Sequence, residues 1–450
     1  MKGQTQSFLE DLHGLFYFNA QDARDIMLRF HSEMGLGLTG KESSLKMIPS
    51  FVRRPKGKEK GSFLAIDLGG TNIRVLAVSL DGKGRAEPLA ISRYPISHEA
   101  MTGTGDMFFD FIAESMESFF KEHQIDAKRL QGLGFTFSFP VVQSSIASGR
   151  LISWTKGFSA SGVEGEDVVE LLTRALRRRN MGFIEVAALI NDTVGTLVAK
   201  SYANPACDMG VILGTGTNAA YPEKTGRITK YKGPRHPDEM IINIEWGGFN
   251  KIRRNIYDET LDRGSFNPGE QRMEKMVSGM YLGEIARLII MDMVKEGLLL
   301  NPHIHHAFSE PYRLTAEHLS LAEQGHFFDD FGLIQVPQED REIILEVFRL
   351  VSGRSARIAA TAISAVITWM DKKMDSSHVI AIDGSLFEKY PNYRENMEAM
   401  LREIFGDSAG KIKLEKEMDG SGIGAAITAA IASSPWDKSL IARLSSLRCR

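Results

Sequence analysis

The sequence contains little of three things, and each shortage excludes a class of protein. Its two cysteines, Cys207 and Cys449, are too few for the disulfide framework of a small secreted domain. Basic and acidic residues nearly balance, at 54 and 57, so the positive excess typical of a nucleic-acid-binding protein is missing. No run approaches the roughly 18 apolar residues of a membrane span, and residues 1–7 lack the apolar core of a signal peptide. We therefore expect a cytoplasmic chain that binds neither nucleic acid nor membrane.

Two glycine-threonine segments of the same kind are the most informative part of the chain. They are DLGGTN (67–72) and LGTGTN (213–218), about 145 residues apart, and each lies between apolar runs typical of strands. Glycines let backbone N–H groups approach an oxyanion closely, and threonine hydroxyls add donors. One such segment alone is more typical of an ordinary hairpin, and neither has the ending of a Walker A loop. Two of them predict a duplicated α/β fold that holds the phosphates of ATP from both sides.

Two aspartates are candidates for the chemistry of phosphate transfer. Asp192 follows the apolar run 186–190, and α/β proteins place functional groups at the carboxyl ends of buried strands. Transfer to an alcohol needs a base, which Asp192 fits, although the pattern is equally typical of the N-cap of the next helix. Asp67 ends the first predicted strand and is placed to lie near Mg²⁺, directly or through water, or else to cap a turn.

Several polar side chains follow or interrupt apolar runs, where a charge without a partner is costly. They form the set of donors and acceptors that a sugar pocket requires: Ser138, Thr155, Lys156, Glu245, Gln271 and Glu274. Glu245 is predicted to end a strand over 241–245. Gln271 and Glu274 are predicted to project from one face of a long helix over about 270–300.

These motifs together resemble the eukaryotic-type hexokinases. The run 63–74 (FLAIDLGGTNIR) is similar to the first phosphate motif of that family, and 214–219 (GTGTNA) is similar to the second. The segment 191–196 (NDTVGT) matches the one that holds the catalytic aspartate. Further matches, in the family's order, are the sugar-binding segments 133–140, 154–158, 244–247 and 267–275 and the adenosine-binding segments 382–386 and 419–422. The resemblance extends from about Phe51 to Ala430.

The resemblance implies the actin-like ATPase (ribonuclease H-like) fold, an α/β duplication with two lobes and a central cleft. The small lobe would comprise 57–190 plus about 421–450, and the large lobe 1–56 plus 191–420. The implied reaction is ATP-dependent phosphorylation of the 6-hydroxyl of glucose and related hexoses, to hexose 6-phosphate plus ADP, the first step of glycolysis. ATP and Mg²⁺ are the implied cofactors, with no set of protein side chains assigned to the metal.

The resemblance also implies a role for each motif residue. Asp192 would be the base and Lys156 would position the sugar. The hexose would be held by Ser138, Thr155, Lys156, Asn191, Asp192, Asn218, Glu245 and Glu274, with Gln271 beside them. MgATP would be held by Asp67, Gly69, Gly70, Thr71, Asn72, Arg74, Gly214, Thr215, Gly216, Gly384, Ser385, Asp419, Gly420 and Ser421.

Other readings stay open at this point. A narrower glucokinase would carry the same motifs, and a sugar sensor or an actin-like assembly protein would use the fold without turnover. Either a monomer or a homodimer is compatible with the sequence. The segment after Pro435 is amphipathic and is predicted to be a packed helix or a partner-binding element. His303, His305 and His306 are interpreted as part of a solvated loop, and the second helix is predicted to stop near Gly35 and Gly37.

Overall fold

A computed structural model describes residues 2–155, 157–233, 238–299, 301–329 and 331–433. The strands are β1 (Ile48–Pro49), β2 (Lys60–Leu68), β3 (Asn72–Asp81), β4 (Ala86–Pro95), β5 (Leu133–Phe137), β6 (Val141–Ser145), β7 (Ser148–Leu151), β8 (Val186–Ile190), β9 (Cys207–Leu213), β10 (Thr217–Lys224), β11 (Glu239–Asn243), β12 (His378–Asp383) and β13 (Ile412–Lys416).

The α-helices lie between groups of these strands, and α7 to α12 follow one another without a strand between them. They are α1 (Lys2–Phe16), α2 (Ala20–Thr39), α3 (His98–Thr102), α4 (Gly105–His123), α5 (Val168–Arg178), α6 (Asp192–Ala203), α7 (Ile256–Gly264), α8 (Arg272–Val277), α9 (Gly279–Lys295), α10 (Pro302–Phe308), α11 (Ala316–Glu323), α12 (Gln338–Met370), α13 (Ser385–Lys389), α14 (Tyr393–Phe405) and α15 (Gly420–Ala432). Short 3₁₀ helices cover Ala127–Arg129, Thr225–Arg227, Trp246–Gly248 and Gly406–Lys411.

Two main sheets repeat one plan. The five-stranded sheet has the order β4-β3-β2-β5-β8, with an antiparallel β2–β3 hairpin and with β5 and β8 parallel to β2. The six-stranded sheet has the order β1-β11-β10-β9-β12-β13, with an antiparallel β9–β10 hairpin and with β12 and β13 parallel to β9. Each glycine-threonine segment therefore forms the turn of a hairpin that continues into parallel strands. The predicted duplicated α/β fold is confirmed.

Helices α6 and α15 fill the space between the sheets, and both sheets contribute apolar side chains to the core around them. A Cβ on Gly424 of α15 would lie 2.0 Å from the carbonyl oxygen of Gly195 in α6, so any larger residue at 424 would push the helices apart. Two further apolar clusters cover the outer faces, one under α4 and α5 and a larger one among the helices of the six-stranded sheet. The predicted division of the chain into two lobes stays a prediction.

Two of the predicted helix features are wrong. Helix α2 does not stop at Gly35 or Gly37 but runs to Thr39, and Gly40 ends it in the left-handed conformation at φ 76°. Gly37 is glycine for a different reason, because a Cβ there would lie 2.4 Å from the carbonyl oxygen of Leu45. The three histidines are not in a loop, since α10 carries His303, His305 and His306. Within the described ranges no group of three or more histidine, cysteine, aspartate or glutamate side chains is arranged to hold a metal ion.

One described helix, α12, is long and apolar enough to cross a membrane by length and composition alone. Inside the protein, 83% of its most apolar window is buried, as in the core helix of a folded domain. Residues 434–450, which include the amphipathic segment noted above, lie outside the described residues.

Candidate active site

The first turn is held by a network of side chains around Arg74. The hairpin register places Arg74 opposite Asp67, and the guanidinium hydrogen-bonds to the carboxylates of both Asp67 and Asp419. It also donates to the Ser421 hydroxyl at 2.7 Å, and that hydroxyl donates to Asp67 at 2.8 Å. The network therefore connects the turn to the start of α15. Asp67, two residues before Gly69, is ion-paired within it.

The other residues of the first turn stay accessible. The N–H of Gly69 donates to the carbonyl of Asn72 at 3.0 Å and closes the turn around Gly70. The Asn72 amide donates to the Thr71 hydroxyl at 2.9 Å, and both side chains are exposed. Gly420 follows Asp419 as the first residue of α15, so the segment 419–422 forms the amino end of that helix rather than a loop before it. Backbone donors at a helix amino end favour an anion.

The second turn is bonded to the start of α9, where the chain leaves one helix and begins the next. The predicted helix over 270–300 is wrong, because α8 ends at Val277, Ser278 is extended, and α9 starts at Gly279. At this break the N–H of Gly279 donates to the carbonyl of Gly214 at 2.8 Å, and the N–H of Met280 donates to the carbonyl of Thr215 at 3.2 Å. The Gly214 N–H donates to the carbonyl of Gly216 at 3.0 Å, and the side chain of Thr215 is exposed.

The candidate adenosine segment passes close to the second turn. Strand β12 ends at Asp383, and Gly384 follows with φ 123°, a conformation that residues with a side chain rarely adopt. A Cβ on Gly384 would lie 2.3 Å from the carbonyl oxygen of Leu213. Only glycine therefore allows this approach, which places Gly384 beside Gly214. Ser385 follows, exposed at the start of α13.

Asp383 lies beside the candidate site residues, and the sequence reasoning did not single it out. Its pKa is raised to about 6, first by burial and also by the nearby carboxylates of Asp192, Asp67 and Asp419, against the opposing charge of Arg74. Asp383 is therefore close enough to Asp192, the candidate base, and to Asp67 and Asp419 of the nucleotide segments for their charges to interact. A signal was present, since Asp383 ends a buried strand just before a glycine, the same pattern that singled out Asp192.

Asp192 is the first residue of α6, and the alternative that it caps this helix is wrong. Asn191 is the N-cap, and its side-chain oxygen accepts from the Thr193 N–H at 3.0 Å and from the Thr193 hydroxyl at 2.6 Å. The Asp192 carboxylate accepts from the same N–H at 2.8 Å. A helix amino end stabilises the ionised form of a carboxylate. Asn191 thus fixes the helix start, and Asp192 is left on the partly exposed side.

A second cluster forms where β10 begins and β11 ends. The Asn218 amide donates to Glu245 at 2.9 Å and to Asn243 at 2.8 Å, and the Asn243 amide donates to the same Glu245 oxygen at 2.8 Å. Sequence reasoning missed Asn243, although it lies two residues before Glu245. The strand ends at Asn243 and not at Glu245, whose backbone is left-handed at φ 57°.

Glu274 and Gln271 lie beside the second turn rather than on one long helix face. Gln271 is the left-handed residue that precedes α8, and Glu274 is in the first turn of that helix. The Glu274 carboxylate accepts from the backbone N–H of Thr217 at 3.1 Å. The Gln271 side-chain oxygen lies 2.6 Å from the position that a Cβ on Gly247 would take.

The remaining candidates lie in loops next to the five-stranded sheet. Ser138 is buried and directly follows β5, whereas Thr155 is exposed. Trp154, which precedes Thr155, packs among phenylalanines and is stacked on Phe158 with ring centroids 5.4 Å apart. Its indole N–H donates to the carbonyl of Ala160 at 2.8 Å. Lys156 lies outside the described residues.

Comparison with known proteins identifies this arrangement. Two family models, both described as hexokinase, match residues 8–202 and 208–431. Hexokinase-1 of Schizosaccharomyces pombe is 37% identical over 445 residues, which cover 95% of this chain and 91% of that protein. The chain belongs to the hexokinase family. Hexokinase-1 of Arabidopsis thaliana is 41% identical over 428 residues, 88% of this chain and 85% of that protein.

Solved hexokinases share the whole fold as well. The hexokinase of Schistosoma mansoni complexed with glucose has a TM-score of 0.85 and 36% identity, over 95% of this chain and 99% of that one. A second hexokinase crystal structure has a TM-score of 0.83 and 30% identity, over 95% and 100%. The actin-like fold and the predicted enzyme class, an ATP-dependent hexose kinase (hexokinase), are confirmed.

Proposed function

We propose that Glu274 and the cluster of Glu245, Asn218 and Asn243 bind the hexose, next to phosphates held by the two glycine-threonine turns. The observation that carries this proposal is the hydrogen bond from the Thr217 N–H, in the second turn, to the carboxylate of Glu274 at 3.1 Å. A carboxylate acceptor suits the hydroxyls of a polyol, and this one is bonded to the phosphate turn itself. Sugar and phosphate sites therefore adjoin, as transfer between them requires.

Glucose and related hexoses are the proposed acceptors. Two amide donors, Asn218 and Asn243, fix the orientation of the Glu245 carboxylate. The carboxylate can then accept a hydrogen bond from a sugar hydroxyl. Asn191, Ser138, Thr155, Gln271 and Lys156 complete the proposed contacts. A site built to pair buried polar groups with hydroxyls rejects ligands that lack them.

MgATP is the proposed phosphate donor, with its phosphates at Gly69–Gly70 and Gly214–Gly216 and its nucleoside at Gly384 and Ser385. Oxygen ligands suit Mg²⁺, which kinases hold through one or two carboxylates together with substrate phosphates. Asp67 and Asp383 supply such carboxylates beside the first turn, so the residues fit the ion. When bound, Mg²⁺ neutralises charge on the β- and γ-phosphates. Arg74 and Ser421 orient Asp67 for this contact, directly or through water.

Asp192 is the proposed general base. The 6-hydroxyl oxygen of the sugar bonds to the γ-phosphorus, the bond from phosphorus to the bridging oxygen breaks, and ADP leaves with that bond's electrons. The hydroxyl proton passes to the Asp192 carboxylate. Closure of the small lobe (57–190 plus about 421–450) on the large lobe (1–56 plus 191–420) would exclude water, a competing nucleophile.

The proposal is tested by measuring ADP formation with glucose, fructose, mannose and glucosamine, each against a sugar-free control. We expect saturable ADP formation that depends on the hexose, with a product that carries phosphate on the 6-hydroxyl. The pattern across the four sugars separates a broad hexokinase from a narrower glucokinase. ADP formation that is the same with and without sugar would contradict the proposal.

A further inference from the structure

A buried ion pair connects α7 to the helix that carries Glu274. The Nζ of Lys275 donates to the carboxylate of Asp262 at 2.5 Å. Lys275 is only 3% exposed and Asp262 only 8%, and a lysine is rarely buried to this extent unless it is paired. Asp262 lies near the end of α7, and Lys275 directly follows Glu274 in α8. The pair therefore joins two helices next to a candidate sugar ligand.

The same two side chains also hold the loop between these helices. The Nζ of Lys275 donates to the carbonyl of Asn267 at 2.7 Å, and the Asp262 carboxylate accepts from the backbone N–H of Gly269 at 3.0 Å. The loop leaves Gly269 at φ 84° and enters α8 through Gln271 at φ 50°. A left-handed glutamine persists only where its surroundings fix it. The pair thus fixes the loop at two points just before Gln271.

The Asp262 carboxylate is occupied by donors of the protein itself. Besides Lys275 and Gly269, it accepts from the guanidinium of Arg254 at 3.4 Å. Burial acts to raise the pKa of Asp262, but the hydrogen bonds from Lys275 and Gly269 outweigh it and hold that pKa below its ordinary value. Asp262 is therefore ionised at neutral pH, and its hydrogen bonds support the loop.

A second buried ion pair on α7 is alike in charge and burial but holds a different part of the molecule. Arg354 donates to both carboxylate oxygens of Asp258, at 2.8 and 2.6 Å. Asp258 is 4% exposed and Arg354 is 5% exposed. Asp258 lies one helical turn before Asp262, yet its partner is on α12, and among the described residues neither side chain bonds to the segment 265–275. The two pairs can therefore be compared directly.

We propose that Asp262 and Lys275 are positioning residues for the hexose, which place Gln271 and Glu274 without contacting the sugar themselves. The inference rests on the proposed function, in which Glu274 accepts from a sugar hydroxyl. The second turn fixes the Glu274 carboxylate from one side through the Thr217 N–H, and the Lys275 anchor fixes its helix from the other. Hydrogen bonds depend steeply on distance and angle, so a small shift of α8 weakens the contact with the sugar.

Lys275→Met tests the proposal, because it removes the cation and keeps a side chain of similar length. We expect KM for glucose to rise by about tenfold or more and KM for ATP to change by less than about twofold. Arg354→Met is the matched control, since it also removes the cation from a buried aspartate of α7. Both variants should lose stability in denaturant unfolding, but only Lys275→Met should change KM for glucose. Asp262→Asn keeps the shape of the side chain and should raise KM for glucose even if Lys275→Met does not fold.

A double variant distinguishes positioning from general destabilisation. If Lys275 acts through Glu274, Glu274→Gln combined with Lys275→Met should raise KM for glucose by less than the product of the two single changes. Independent effects, equal rises in KM for glucose and ATP, or the same rise in Arg354→Met would overturn the inference. Parent-like KM values in Lys275→Met and Asp262→Asn, with a raised KM for glucose in Glu274→Gln, would overturn it and leave the proposed function standing. An unchanged KM for glucose in Glu274→Gln would overturn both.

Discussion

The side-chain amide of Asn218 donates a hydrogen bond of 2.9 Å to the carboxylate of Glu245. Asn243 donates to the same oxygen, so two amides from neighbouring strands fix the direction of one carboxylate. Glu245 adopts a left-handed backbone conformation at φ 57°, which is sparsely populated for a residue with a side chain. Backbone strain at a carboxylate whose orientation two donors fix is typical of a ligand site. We propose that the ligand is a sugar hydroxyl.

Glu245→Gln should raise KM for glucose by about ten- to a hundredfold and leave KM for ATP nearly unchanged. The amide that replaces the carboxylate would leave a buried sugar hydroxyl poorly paired, at a cost of about 1–3 kcal/mol. Steady-state kinetics with each substrate varied in turn gives both constants. Glu270→Gln, the same change at a nearby exposed glutamate, serves as the control. Equal effects on both KM values would reject the assignment of Glu245 to the sugar.

Arg74→Met should lower the free energy of unfolding by about 3 kcal/mol, because it leaves Asp67 and Asp419 without their shared cation in a mostly buried site. Arg93→Met is a matched control, since Arg93 lies 3.8 Å from the same Asp419 but is 66% exposed. An exposed pair contributes within about 1 kcal/mol. Denaturant unfolding without ligands measures both changes. Similar small losses in the two variants would show that the Arg74 network does not hold the first turn.

Asp383→Asn should stabilise the protein more at pH 7 than at pH 4.5. Burial first, then the carboxylates around it, raises the pKa of Asp383 to about 6 from an ordinary 3.8, so the folded chain holds this proton more tightly than the unfolded chain. The parent therefore loses stability as the pH rises from about 4 to about 6, by up to about 3 kcal/mol. The asparagine variant has no such loss. Unfolding midpoints at both pH values, with the exposed Asp407→Asn as control, check this; a difference between variant and parent that is independent of pH would contradict it.

The two glycine-threonine turns and the strand before Asp192 could be predicted from the sequence because they depend on local chemistry. Glycine-threonine segments between apolar runs predicted both hairpins, and Asp192 was found from its place after a buried strand. The break at Ser278 could not be predicted, because it is stabilised by distant carbonyls at Gly214 and Thr215. Asn243 was missed for a related reason, since an asparagine near a strand end signals nothing until the partner strand brings Asn218 beside it.

Glucose should change the intrinsic fluorescence mainly through Trp154, which directly precedes Thr155 and is partly exposed. Trp246 is fully buried, and its indole N–H donates to the Thr217 hydroxyl in the second turn at 2.9 Å, so it should respond to nucleotide as well. A glucose titration of Trp154→Phe should show most of the parent signal lost. The control is Trp369→Phe, whose indole donates to Glu223 away from the site. A signal that survives in Trp154→Phe and disappears in the control would place the change elsewhere.

The most direct test of the account is the turnover of Asp192→Ala, measured as hexose-dependent ADP formation at saturating glucose and MgATP. The account assigns the hydroxyl proton to this carboxylate, so kcat should fall by about 10²-fold or more. Circular dichroism and thermal unfolding should stay near those of the parent, because Asn191 and not Asp192 caps α6. A folded Asp192→Ala variant with kcat within a few-fold of the parent would contradict the role of Asp192 and with it the proposed mechanism.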